Sequence, residues 1–90
     1  MPKLSIIIPH YNSPDLLKNL LKSIPKKKEI EIIVTDDRST KKLDQLNQLI
    51  NSNNYNHITF LKNNRANKGA GTCRNIGLEQ ATGDWILFAV

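Results

Sequence analysis

Residues Ile30 to Thr40 read Ile-Glu-Ile-Ile-Val-Thr-Asp-Asp-Arg-Ser-Thr, a β-branched run that stops at two adjacent carboxylates. A parallel strand covered on both faces is apolar almost throughout, whereas a strand covered on one face alternates. The run therefore asks for protein above and below it, which points to an open α/β sheet. Ligands of such sheets bind just beyond the carboxyl ends of the strands, and Asp36 and Asp37 stand at that end. The competing reading is a helix cap, since Asp37, Ser39 and Thr40 are all good N-caps, although one cap needs only one of them.

The remaining segments supply helices and three more strands. Leu4 to Ile8 reads as strand one, which Pro9 is expected to end because proline cannot donate to a ladder. Ser13 and Pro14 suit the N-cap and first position of a helix, with Asp15 in its first turn. Leu16, Leu17, Leu20, Leu21 and Ile24 give that helix one apolar stripe, closed by Pro25. Strand two is expected over Ile30 to Val34, and a second helix from about Ser39 with Leu43, Leu46, Leu49 and Ile50 on one side. Asn51 to Asn56 is turn-rich and His57 to Leu61 reads as strand three. A loop from Lys62 to about Ala70 leads to a third helix over about Gly71 to Ala81. Thr82-Gly83-Asp84 then turns into strand four, Trp85 to Val90. This alternation predicts a Rossmann-like parallel sheet with helices on both faces and right-handed crossovers. The expected order is 3-2-1-4. A crevice then opens above strands one and four, where Pro9 to Asn12, Asp36 to Arg38 and Val90 converge.

Ninety residues make one small domain, spanning 1–90. The lone Cys73 excludes an internal disulfide, and with only His10 and His57 no Cys/His zinc pattern can be assembled. No apolar run approaches the roughly 20 residues that span a bilayer, and the amino terminus does not read as a signal peptide. The expected location is cytoplasmic, at the inner membrane face where partners or further parts of the protein hold it there. A net charge of +5 permits a polyanionic partner. Its densest cluster, Lys26-Lys27-Lys28, follows a helix end, where cations complement the dipole, and reads as a solvated face rather than a nucleic-acid patch.

Several residues near the crevice carry chemistry. Tyr11 either stacks on a planar ligand such as a nucleobase or packs on the first helix with its hydroxyl wet. Asn12 reads as a turn former. The Asp37 carboxylate only accepts hydrogen bonds, so it suits an N–H on a base edge or a ribose hydroxyl, not a phosphate. Asp36 points to the other side in an extended segment and supports the turn. Gly69 and Gly71 permit close backbone approach at the mouth of the third helix. Arg74 near that mouth opposes the helix dipole and calls for compensation by an anionic ligand or by Asp36 or Asp37. Cys73 falls on the apolar side of the helix with Ile76 and Gly77 and reads as core. The Gly-x-Gly lies after strand three, not after strand one, so it is not a dinucleotide fingerprint.

Ser5 to Asn12, Val34 to Thr40, and Asn67 to Gly77 closing on Ala81 to Ile86 together resemble the amino-terminal half of family 2 glycosyltransferases over nearly the whole chain. The resemblance implies a GT-A fold, a nucleotide-sugar donor that is usually a UDP-sugar, a divalent cation (Mg or Mn) and inverting transfer to a hydroxyl. It implies Pro9 and Tyr11 beside the base, Asp37 on its imide N–H, and Asn67 and Arg74 on the nucleotide. Asp36, Arg38, Lys68 and Gly69 complete the expected pocket. Arg38 stands where the family usually has glycine, and the family's metal-binding Asp-x-Asp is expected just after Val90. The chain is thus expected to be the nucleotide-sugar-binding part of a hexosyl- or related transferase of polysaccharide biosynthesis, truncated at strand four. No catalytic residue and no bound metal are expected in it, and alone it should be inactive. A sugar, lipid-linked or polysaccharide acceptor would be met through the missing part. A bare strand-four edge predicts a homodimer. A stand-alone nucleotide- or sugar-binding module and a nucleic-acid-binding domain are the rival classes. The last would need binding that falls steeply with salt.

Overall fold

A computed structural model describes residues 2–40 and 58–89. Strands β1 (Leu4–His10), β2 (Ile30–Asp36), β3 (Ile58–Lys62) and β4 (Trp85–Phe88) form one sheet, joined with helices α1 (Pro14–Ser23) and α2 (Ala70–Gln80). All pairings are parallel and the order is β3-β2-β1-β4, as expected from the alternation. Ser39 and Thr40 are irregular, and the second helix, the turn at 51–56, His57 and Val90 lie outside the described residues.

The two central strands are apolar on both sides because each side meets a helix. Ile6 and Ile8 of β1 join Ile32 and Val34 of β2 in a buried cluster with Leu17 and Leu21 of α1. Leu16, counted in the apolar stripe, is exposed instead. Ile7 and Ile33 turn to the other side, where α2 brings the buried Cys73 and Gly77. A Cβ on Gly77 would lie 2.6 Å from Ile7 Cγ2, so the missing side chain is what lets α2 lie on β1.

Pro9 does not end β1, which continues to His10 opposite Asp36. The reason lies in which way the backbone faces. The Trp85 and Ala89 N–H groups donate to the Lys3 and Ile7 carbonyls, so odd-numbered residues of β1 turn toward β4. The missing N–H of Pro9 therefore falls on the β4 side, where the register with β1 stops at Ile7 opposite Phe88, while pairing with β2 continues. Strand β2 likewise runs two residues past Val34, to Asp36. Strand β4 is shorter than expected and ends at Phe88.

At the opposite end of the sheet one carboxylate oxygen gathers the turn before β4. Glu31 Oε2 accepts from Ser5 Oγ at 2.7 Å, from the Thr82 N–H at 3.0 Å and from Thr82 Oγ1 at 2.9 Å. The Gly83 N–H donates to Ser5 Oγ at 2.9 Å, and a side chain at Gly83 would strike Ser5. Beyond this anchor β4 is an open edge among the described residues, with Trp85, Ile86, Leu87 and Phe88 all exposed.

Candidate functional site

β1 and β2 end side by side, and side chains alternate along a strand, so the neighbours Asp36 and Asp37 reach different partners. Asp36 Oδ1 accepts from His10 Nδ1 at 2.8 Å and from Ser39 Oγ at 2.5 Å, and its Oδ2 accepts from the Ser39 N–H at 2.9 Å. The Ser13 N–H donates to His10 Nε2 at 3.0 Å, so that nitrogen is bare and the proton sits on Nδ1. Ser13 is indeed the N-cap residue of α1, but its side chain does not cap. Asn12 adopts a left-handed φ of 50°, which asparagine tolerates, and clasps the second loop: its N–H donates to Ser39 Oγ and its Oδ1 accepts from the Thr40 N–H. His10, Asp36, Ser39 and Asn12 thus build the rim. The sequence pointed to the supporting part of Asp36 and not to that of His10, which in a linear reading is only a polar residue after a strand.

Asp37 is buried and, among the described residues, receives one hydrogen bond on each oxygen, from Asn63 Nδ2 at 2.9 Å and from the Gly69 N–H at 2.8 Å. A carboxylate accepts about four, so lone pairs remain for a ligand. The Asn63 amide is the main cause that holds the Asp37 carboxyl below its ordinary 3.8, against burial, with the Gly69 N–H and the Lys68 and Arg38 charges adding to it. Asp37 is therefore an ionised acceptor at neutral pH. Asn63, directly after β3, is 1% exposed, and no sequence signal separated it from the loop polar residues around it.

Gly69 has φ 113°, a conformation that favours glycine, and precedes the first turn of α2. Nothing among the described residues lies within 4 Å of a Cβ built on Gly69 or Gly71, so the space beside both is open. Arg38 also has a left-handed backbone, φ 59°, which is why a glycine suits this position. Its guanidinium holds the next loop, with Nε donating to the Asn63 carbonyl at 3.2 Å and a terminal nitrogen donating to the Arg65 carbonyl. Arg65 in turn pairs with Glu79.

Tyr11 is 51% exposed, and Lys68 Nζ lies 5.4 Å from its ring centroid. This cation–π contact joins the first loop to the segment before α2. Pro9, Tyr11, Leu16 and Leu20 line an apolar hollow of about 380 Å³ on the α1 side. Asn67 is exposed and its carbonyl accepts from Asn63 Nδ2 at 2.9 Å. Arg74 lies in the second turn of α2, and among the described residues its side chain meets neither Asp36 nor Asp37. The ion pair with Asp36 or Asp37 that the sequence allowed for Arg74 is not made among the described residues. Burial, with the charges of Asp37 and Asp36, pushes the Cys73 thiol up, which suits core rather than a nucleophile. No group of three or more His, Cys, Asp or Glu among the described residues is placed to hold a metal ion.

The profile of the family "Glycosyl transferase family 2" matches residues 5–89. The chain belongs to this family. It is 36% identical over 90 residues to the GalNAc(5)-diNAcBac-PP-undecaprenol β-1,3-glucosyltransferase of Campylobacter jejuni, covering 98% of this chain and 29% of that one. It is 39% identical over 95 residues to the poly(ribitol-phosphate) β-N-acetylglucosaminyltransferase TarS of Staphylococcus aureus, covering 98% and 16%. The crystal structure of TarS residues 1–349 in complex with UDP-GlcNAc superposes with a TM-score of 0.74 at 36% identity, covering 97% of this chain and 26% of that one. The same region of TarS in complex with UDP gives 0.73 at 34%. A mannosyltransferase from Pyrobaculum calidifontis, in complex with GDP-Man and Mn²⁺, shares the fold with a TM-score of 0.74 at 22% identity, covering 90% and 25%. The chain thus spans less than a third of each of these relatives.

Proposed function

We propose that this glycosyltransferase chain forms the donor site for a UDP-sugar, with Asp37 accepting the imide N–H of the base. The observation that carries the reading is the Asp37 carboxylate: buried, ionised, held from two sides and still offering lone pairs. Uracil presents one N–H between two carbonyls, and an acceptor-only group selects for it; cytosine has no hydrogen at that nitrogen. Pro9 and Tyr11 flank the base, while Lys68, Gly69, Asn67 and Arg74 line the path toward the diphosphate, with Arg38 on the rim. The UDP and UDP-GlcNAc complexes of TarS support this choice of donor.

The parent protein is proposed to be an inverting hexosyl- or related transferase acting on a hydroxyl of a sugar, lipid-linked or polysaccharide acceptor in the cytoplasm or at the inner membrane face. The described residues do not fit a metal: Asp36 is committed to His10 and Ser39, and Asp37 faces donors. A divalent cation for the whole enzyme would take its ligands elsewhere. The described residues are assigned donor recognition. Titration calorimetry tests this. UDP should bind, CDP should bind at least about tenfold more weakly, and Asp37→Asn should erase the difference by turning a donor toward the base. Equal binding of UDP and CDP by the unaltered chain would overturn the assignment of Asp37.

A further inference from the structure

We propose that Asn63 is a positioning residue for donor recognition, turning the Asp37 carboxylate toward the crevice and keeping the loop 63–69 closed around it. The proposal rests on the donor reading of Asp37 above and names a residue that reading does not need. Every polar atom of Asn63 is used. Its N–H donates to the Asp36 carbonyl at 2.8 Å and its carbonyl accepts from Arg38 Nε at 3.2 Å. Its side-chain Oδ1 accepts from the Arg65 N–H at 2.9 Å, and Nδ2 donates to both Asp37 Oδ1 and the Asn67 carbonyl at 2.9 Å. The Arg65 N–H fixes which way the amide is turned: Oδ1 must face that donor, so Nδ2 must face Asp37.

Two consequences follow for the base reader. With Nδ2 on one oxygen and the Gly69 N–H on the other, the carboxylate cannot rotate about its last bond, so its remaining lone pairs have one direction. The same amide that orients Asp37 also orders residues 65 and 67, which carry the chain to Lys68 over Tyr11 and to Gly69. The amide thus links the acceptor for the base edge to the groups beside the base plane. Among the described residues the charged and titratable neighbours are Lys68 and Arg38, which favour the Asp37 anion, the Cys73 thiol on α2, and the His10–Asp36 pair on the strand ends.

The test is Asn63→Asp, which keeps the acceptor for Arg65 but sets a second carboxyl against Asp37. At pH 7 UDP affinity should fall at least about tenfold, and at pH 5, where the pair can share a proton, the loss should shrink to about threefold or less. Loss of equal size at both pH values, or no loss, overturns the proposal. A measurement on the unaltered chain removes dependence on the variant's folding: in an NMR pH titration the Asn63 side-chain amide protons and the Gly69 N–H should shift in step with the Asp37 carboxyl carbon. A silent Asn63 amide overturns the hold on Asp37 whatever calorimetry gives. An unaltered chain that binds no UDP, with a responsive amide, overturns the donor reading and leaves the hold intact.

Discussion

Gly77→Ala should destabilise the fold by about 1 to 2 kcal/mol, although alanine is the better helix former. In an exposed helix interior the replacement gains about 1 kcal/mol. Here the new methyl would sit 2.6 Å from Ile7 Cγ2 and 3.6 Å from Ile33 Cγ2, the first far inside ordinary carbon contact. Ile7 is fully buried and β-branched, so its side chain has little freedom to turn aside. Either α2 lifts from the sheet or Ile7 leaves its rotamer, and overpacking of this kind costs about 1 to 3 kcal/mol. Because the 2.6 Å clash sits between two packed elements, we take the upper part of that range and subtract the helix gain. Urea unfolding followed by circular dichroism should show a lower midpoint at unchanged slope, and heating a melting point down by roughly 5 to 15 °C. Ile7→Ala should cost at least about 1 kcal/mol less in the Gly77→Ala background than alone, since it removes the clashing atom. A Gly77→Ala chain as stable as the original, or more so, would refute the claim that this glycine sets the α2–β1 distance.

Glu31 is held below its ordinary 4.5, because although burial pushes it up, the Thr82 N–H and the Ser5 and Thr82 hydroxyls outweigh burial. A lowered folded value gives stabilisation that is complete above pH 4.5 and lost below it as the pH falls through the lowered folded value, so Glu31→Gln should flatten the acid limb of a stability–pH curve, and an unchanged limb would rule out this anchor. At residue 38, with φ 59°, Arg38→Val should cost about 1 to 2 kcal/mol more than Arg38→Asn, which also loses the guanidinium but tolerates the left-handed backbone; equal urea midpoints would show that the conformation relaxes.

The sheet order was legible because two uninterrupted β-branched runs had to be central and each crossover had a helix-sized segment to make it. The strand ends were less so. Pro9 was read as a stop on both sides of β1, yet in a parallel ladder a residue faces only one neighbour, and a linear sequence does not say which. Asp37 stands out in sequence by its place at a strand end and its acceptor-only chemistry, and its burial and two donors are what the structure adds. Asn63 does not, because its place depends on contacts to Asp36, Asp37 and Arg38, far away in sequence, and Asn63-Asn64 looks like any polar turn. The helix dipole alone does not choose a partner for Arg74, whereas the two carboxylates are each held by donors nearer in the fold.

Two carboxylates in a row invite the idea that they share one cation, and the hydrogen bonds separate them instead. Asp36 has three donors within 2.9 Å, two of them from Ser39. A cation there would have to displace the turn that ties Asn12 and Thr40 together. Asp37 has spare lone pairs, but its surroundings are N–H groups with the Lys68 and Arg38 charges nearby, an environment that favours an anion's stability and repels a second positive ion. What suits such a carboxylate is a neutral N–H donor with flat apolar faces. Strand alternation thus gives adjacent identical residues different partners: Asp36, turned toward His10 and Ser39, secures the crevice wall, and Asp37, turned toward Asn63 and Gly69, is the one proposed to meet the base.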